Sequence, residues 1–348
     1  MTSHSRSMPW PRRHRRLIYP LFLPWLGCRS RCVFCAQEIQ TGRAAPAGEA
    51  QVLALLQACE ADLLGRPDKN RRPQLAFYGG TFTALPEPLW RICLDFALRL
   101  RKSGLIDGFR CSTRPDCLDA KRLRELKSCG CELVELGIQS FDSEILDCAG
   151  RGYSREAAIA ACGLIAEAGL GPGVQLMPGL PASAPEHFIA DVEQALACNA
   201  VCLRFYPCLV LAGSPLARLW QEGKFRPWSL PDTLTALARG WLLASARDVP
   251  VIRMGLAPQD GLAASILAGP CHPALGSRVM AQALLLAAQA LLDGRPANSP
   301  WRLHLPASAQ GCRLGWRNEL AEHWHRLGPG EIRYWERQEI AASWQEIR

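Results

Sequence analysis

The 348-residue sequence predicts an α/β fold: a parallel sheet wound by helices, followed by a mainly helical C-terminal extension. Two observations carry this prediction. Six apolar runs bounded by glycine, proline and polar turns alternate with helix-period segments, which implies right-handed βα crossovers. Polar or glycine-rich motifs then follow five of those runs, so they fall on one rim, where such sheets place their chemistry.

Strands are expected at residues 17–23, 74–78, 109–113, 132–138, 173–177 and 201–206. Helices are expected between them at 48–64, 87–101, 118–128, 154–168 and 185–197. Up to about residue 207 this describes either a curved, partly closed barrel or an open doubly wound sheet. Beyond it the pattern changes, with helices expected at 215–222, 231–246 and 277–292 and a short strand at 249–253. The chain therefore divides into a basic flexible arm (1–16), a core (17–255) and a helical, Trp/Arg-rich extension (256–348).

Composition narrows the class. Hydrophobic residues make up 49% and charged residues 21%, ordinary for a globular chain. The longest apolar run, 281–292, is too short to cross a bilayer and reads as a buried helix. The N-terminus lacks the apolar region of a signal peptide. The sixteen cysteines are scattered through apolar segments rather than spaced as a disulfide framework, which points to reduced thiols in a cytoplasmic protein. The formal charge is +8. Arg6, Arg12, Arg13, Arg15 and Arg16 supply five of those charges in an arm without acids, suited to an anionic surface or simply to solvent.

Chemistry concentrates at the strand ends. Cys28, Cys32 and Cys35 follow the first strand with CxxxCxxC spacing, so three thiolates can turn to one centre. Structural zinc and simple iron–sulfur carriers use four protein ligands. Either a distant cysteine or histidine completes a zinc site, or an iron–sulfur cluster keeps one iron open; the strand-end context favours the cluster. Gly79-Gly80-Thr81 ends the second strand, where glycines permit close backbone approach to a ligand. Ser112 ends the third strand. Gln139 ends the fourth and could hold a ribose hydroxyl, while Arg151 could grip a carboxylate bidentately. Gln175 and Met177 end the fifth.

Taken together, Gly27-Cys28-x3-Cys32-Val33-Phe34-Cys35, Phe77-Tyr78-Gly79-Gly80-Thr81, Ser112-Thr113-Arg114-Pro115-Asp116, Glu135-Leu136-Gly137-Ile138-Gln139-Ser140 and Met177-Pro178-Gly179 resemble the radical S-adenosylmethionine (SAM) superfamily. The nearest branch is that of oxygen-independent coproporphyrinogen oxidase and the Elongator catalytic subunit; residues 205–220 are more similar to the latter. The resemblance implies a partial (β/α)6 barrel and a [4Fe–4S] cluster on Cys28, Cys32 and Cys35. It implies SAM contacts from Phe34 near the adenine, from Gly79, Gly80 and Thr81 at the amino group, and from Ser112, Gln139 and Arg151 at the ribose or carboxylate. Gln175 and Met177 complete that set.

The resemblance further implies an enzyme that cleaves SAM reductively to a 5′-deoxyadenosyl radical, fed by a reductant such as flavodoxin or ferredoxin. An RNA nucleoside is the first candidate substrate and a porphyrin-like molecule the second. The competing class is a non-catalytic iron–sulfur RNA-binding or heme-carrier protein. Two departures from the Elongator subunit stand out: its first two cysteines are spaced further apart, and no acetyltransferase domain is recognisable here. Cys271-His272 could act on substrate, ligate a metal, or be a plain turn. Trp301, Trp316, Trp324, Trp335 and Trp344 could stack bases or cover a core, and His323 and His325 are too close to share a helix face.

Overall fold

Alternation within residues 134–139 sets the plan of the sheet. Val134, Leu136 and Ile138 are fully buried on one face, while Glu135, Gly137 and Gln139 line a cavity on the other, as the two-residue period of a strand requires. The structure, a computed structural model, describes residues 3–11, 16–68, 71–256, 261–296 and 299–345.

In chain order, β1 (Ser3–Pro9) and β2 (Ile18–Phe22) lead to α1 (Gln37–Thr41), α2 (Glu49–Leu64) and β3 (Gln74–Tyr78). Then come α3 (Glu87–Lys102), β4 (Gly108–Thr113), α4 (Ala120–Ser128) and β5 (Cys131–Gln139). They are followed by α5 (Ser143–Cys148), α6 (Arg155–Glu167), β6 (Gly171–Leu176), α7 (Pro185–Ala197) and β7 (Cys202–Phe205). Next are β8 (Val210–Leu211), α8 (Pro215–Gln221), α9 (Leu230–Ala246), β9 (Val251–Met254), α10 (Leu262–Ser265) and β10 (Ile266–Ala268). The chain closes with α11 (Leu275–Leu292), β11 (Trp301–Pro306), α12 (Ala321–His325), β12 (Gly330–Trp335) and β13 (Glu339–Gln345).

Strands β2, β3, β4, β5, β6, β7 and β9 pair in parallel and in chain order. Parallel neighbours in unbroken chain order put the crossover helices on one face, and the sheet curls into a half-barrel with a free inner face. Six strands were expected in the barrel; β9 joins as a seventh. Its four residues form the sheet edge, pairing Val251 with Leu203 and Arg253 with Arg204 of β7 across a long connection. The apolar outer face packs Trp90, Cys93, Leu94 and Leu100 of α3 and Leu123 and Leu126 of α4 against Phe77, Phe109 and Cys111. Side-chain caps start the helices where the sequence supplies them: Asp119 for α4, Asp142 for α5, Ser154 for α6, Ser214 for α8 and Ser229 for α9.

Two expectations change. Residues 3–9 of the supposed flexible arm are β1, which pairs antiparallel with β13 from Ser3↔Gln345 to Pro9↔Glu339. Trp10 is buried edge-on against Trp241, 4.7 Å between ring centres. Arg6 donates to the Asp293 carbonyl at 2.8 Å, and Arg16 pairs with Glu132 at 2.6 Å. Arg12, Arg13 and Arg15 lie outside the described residues. Secondly, the extension is not helical alone: β1, β13, β11 and β12 form a four-stranded sheet in that order. Trp301, Trp324 and Trp344 are each 5% exposed beneath it, so these three cover a core. A strand partnered by another more than 300 residues away leaves no local signal, which is why charge alone dominated the reading of the arm. Helix α11 is long and apolar enough to cross a membrane by length and composition, yet more than half of it is buried in the protein. Its Val279, Leu284, Ala287, Ala288 and Leu291 face the core, as a central helix would.

Candidate functional site at the barrel rim

The loop after β2 is shaped by its own backbone. Trp25 and Gly27 adopt left-handed φ angles of 63° and 75°, and the Cys28 amide closes a turn onto the Trp25 carbonyl at 3.0 Å. Gln37 then ties this loop to the next: its Oε1 accepts from Trp25 N at 2.7 Å and from Gly80 N at 2.8 Å. The Thr81 amide donates to the Leu26 carbonyl at 2.7 Å.

The two glycine-bearing turns nest. A Cβ on Gly80 would lie 2.2 Å from the Leu26 oxygen, and one on Gly27 would lie 2.2 Å from the Thr81 oxygen. Gly80 was expected to let a ligand approach; the backbone it admits is that of the cysteine loop. Thr81 is fully buried, with Oγ1 3.4 Å from Cys28 Sγ.

The three thiols are free and face one cavity. Cys32 Sγ accepts from Arg151 Nη1 at 2.8 Å, with Arg114 Nη1 at 3.8 Å. Cys28 Sγ lies 3.8 Å from Gln37 Nε2. Burial, then the neighbouring Cys32 sulfur, push the Cys35 thiol up to about 12. Among the described residues no three Cys, His, Asp or Glu side chains stand together at ligating distance, so the thiols share a cavity wall rather than close a cage. The donor set is all sulfur and no histidine lines that cavity, which fits an iron–sulfur group.

Arg151 is 4% exposed and fully engaged. Besides Cys32 it donates to the Gly137 carbonyl and, from Nε, to Tyr153 Oη at 3.0 Å. Burial works against its charge, but Tyr153 and Cys32 more than offset this, so its pKa lies above the usual arginine value. Gln139 sits at the end of β5 with a φ of 74°, beside an irregularity in the β5–β6 register. Its carbonyl accepts from Met177 N at 2.8 Å and its Oε1 from Gln175 Nε2 at 3.1 Å. A non-glycine residue held in this conformation is costly, and the bulge aims its side chain inward. Phe34 and Met177 are buried together with Cys32 in a small apolar cluster.

All twelve residues expected at the cluster and at SAM, Ser112 included, line this one cavity of about 830 Å³. Cys271 and His272 do not join it; they line a second cavity described below. His272 Nδ1 accepts from Ala274 N at 3.0 Å and its ring meets Trp316 edge-on at 5.2 Å.

Sequence reading missed the floor of the cavity. Glu135, 4% exposed, accepts from Tyr78 Oη at 2.9 Å and from Arg110 Nη1 at 3.2 Å, and it pairs with Arg204. Arg204 also reaches Tyr206 Oη at 2.8 Å. Burial opposes the Arg204 charge, and Glu135 with the two tyrosines more than restores it, so its pKa is raised. Burial, then Glu135, raise the Tyr78 hydroxyl as well. The signal was present: Arg110, Glu135 and Arg204 each interrupt an apolar run at the inward-facing phase of its strand.

A parallel half-barrel with a three-thiol loop and a glycine turn on its carboxyl rim defines a class of cluster-based enzymes. Residues 22–195 match the Radical SAM superfamily and residues 200–284 match the Radical_SAM C-terminal domain. The chain belongs to the radical SAM superfamily. Among curated relatives, tRNA uridine(34) acetyltransferase of Methanocaldococcus infernus is 31% identical over 206 residues, covering 51% of this chain and 38% of that protein. Elongator complex protein 3 of Mus musculus is 30% identical over 184 residues, covering 46% and 33%. The matched stretch therefore spans well under half of those relatives. The structure of archaeal Methanocaldococcus infernus Elp3 superposes with a TM-score of 0.59 at 22% identity, covering 76% of this chain and 62% of that one, which shows the shared fold.

Proposed function

We propose that Cys28, Cys32 and Cys35 hold a [4Fe–4S] cluster, that SAM occupies the cavity beside it, and that an RNA nucleoside is the substrate. The observation that supports this most is the convergence of three thiols, the Gly79-Gly80-Thr81 turn, Gln139 and Arg151 on one cavity. Such a group, when bound, supplies an electron that cleaves SAM to methionine and a 5′-deoxyadenosyl radical.

The protein's own contribution is positioning and exclusion. Gln37 and Gly80 hold the cysteine loop against the next loop. Arg151 and Arg114 bring positive charge to Cys32, where a thiolate needs a donor. Phe34 and Met177 offer an apolar wall for an adenine, and Gln139 and Ser112 offer hydrogen bonds at a ribose. The RNA assignment rests on the relatives whose names refer to tRNA uridine, and flavodoxin or ferredoxin would supply the electron.

Anaerobically reconstituted protein should bind about four iron and four sulfide per chain and cleave SAM under dithionite. Cys32→Ala should lose both properties. Wild-type protein that takes up no iron, or that holds a cluster and leaves SAM intact, overturns the reading. Sequencing RNA captured anaerobically on the same protein tests the substrate.

A further inference from the structure

Behind β9 lies a second cavity of about 1280 Å³, above the usual range of about 300–1,000 Å³ for ligand sites. Four parts of the chain line it. Trp10 follows β1 and Trp241 comes from α9. Met254 and Leu256 come from the end of β9, and Leu275 and Met280 from α11. These walls are apolar, so the cavity favours an apolar occupant.

One cation breaks the apolar wall. Arg253 on β9 lines both this cavity and the rim cavity, as do Ile252 and Leu256, so the three form a shared partition. The other arginines facing the rim cavity have acidic or thiol partners: Arg16 has Glu132, Arg110 and Arg204 have Glu135, Arg114 has Asp116, and Arg151 has Cys32. Arg253 is half-buried and donates from Nε to the Gly255 carbonyl at 3.1 Å. No carboxylate among the described residues pairs with it. The cavity's own acid, Glu336, is solvent-exposed.

We propose that this cavity binds a small molecule with an apolar body and a terminal carboxylate, the carboxylate pairing with Arg253. A guanidinium is planar and singly charged, which matches a carboxylate in shape and in charge. A phosphate monoester would leave one charge unanswered in apolar surroundings. The ligand's acidic end would lie at the partition, next to the rim cavity. The proposal does not depend on the cluster chemistry.

Gly276 provides the control. It lies in the first turn of α11 on the cavity wall, its φ is not positive, and a Cβ there would meet nothing within 4 Å. Gly276→Leu therefore adds bulk at the cavity wall from a Cβ that meets no neighbour, at a site where leucine favours a helix more than glycine does.

The test uses the full chain titrated with 11-(dansylamino)undecanoic acid, read by energy transfer from the chain's tryptophans, of which Trp10 and Trp241 line the cavity, to the dansyl group. Its carboxamide is the neutral comparison. Saturable one-to-one binding is expected, with Gly276→Leu weakening both probes at least tenfold while its melting temperature holds. Arg253→Met should weaken the acid by about tenfold to a hundredfold and leave the carboxamide unchanged. Absence of saturable binding, or full binding by Gly276→Leu, overturns the site. Equal affinity of wild-type protein for acid and carboxamide overturns the pairing with Arg253. Neither readout requires SAM cleavage, so failure here leaves the reading of the rim cavity standing.

Discussion

Arg151 Nη1 lies 2.8 Å from Cys32 Sγ, joining the loop after α5 to the loop after β2 across the rim of the barrel. The same guanidinium holds the Gly137 carbonyl and the Tyr153 hydroxyl. An arginine expected to grip a cofactor carboxylate thus serves first as a bracket between the cysteine loop and the fourth barrel strand.

Arg151→Met keeps the bulk and removes these donors. It takes a charged donor from the half-buried Gly137 carbonyl, which keeps the Tyr153 hydroxyl at 3.0 Å, and from the buried Tyr153 hydroxyl, costing about 1–3 kcal/mol. The melting temperature should fall, and iron retention after anaerobic reconstitution should fall with it. Unchanged melting and unchanged iron content would remove the bracket role.

Gly80→Ala should be more damaging than its size suggests. The position has a φ of 63°, and the added carbon would meet the Leu26 oxygen at 2.2 Å. The expected cost is about 2 kcal/mol or more, seen as a lower melting temperature and faster alkylation of Cys28 and Cys35. Gly152→Ala, also at positive φ but with open space around it, should lose less.

Glu135→Gln removes the carboxylate between Arg110 and Arg204 and strands a buried and a partly buried guanidinium group. Breaking a buried pair from one side costs about 3–5 kcal/mol, measurable by urea unfolding. Adding Arg204→Met to Glu135→Gln should recover part of that loss, and the non-additivity measures the coupling.

Asp191 gives a pH dependence. Burial raises its carboxyl to about 6, partly countered by hydrogen bonds from the Phe141 amide at 2.6 Å and Ser140 Oγ at 3.1 Å. Among its charged neighbours, Asp142 pushes it up and His187 pulls it down. The folded state therefore holds a proton that the unfolded chain has released above its ordinary value near 3.9. Its contribution to stability is full below about pH 4 and is lost as pH rises through about 6. Asp191→Asn, which can still accept both hydrogen bonds, should flatten this slope in unfolding free energy between pH 4 and 6.5. An identical slope in the variant would assign the dependence elsewhere.

The parallel βα order was legible because its signals are local. Apolar runs at β2 to β7, helix-period runs between them, and polar motifs after the first five are all read from neighbours in sequence, and a parallel sheet with right-handed crossovers turns that order directly into space. That is why Cys28, Gly80, Gln139 and Arg151 could be assigned to one rim before any coordinates. What those residues touch was decided only in three dimensions. Gly80 meets Leu26, Arg151 meets Cys32, and Arg110 and Arg204 converge on Glu135, because sheet curvature brings together side chains 25 to 119 positions apart. The same holds for β1 on β13 and for the cavity behind β9, whose walls come from both ends of the chain. Residue types and periodicity determined the parallel βα order and the place of its chemistry, and the motif resemblance pointed to a barrel; pairing over long separations, invisible to any local pattern, determined the contacts.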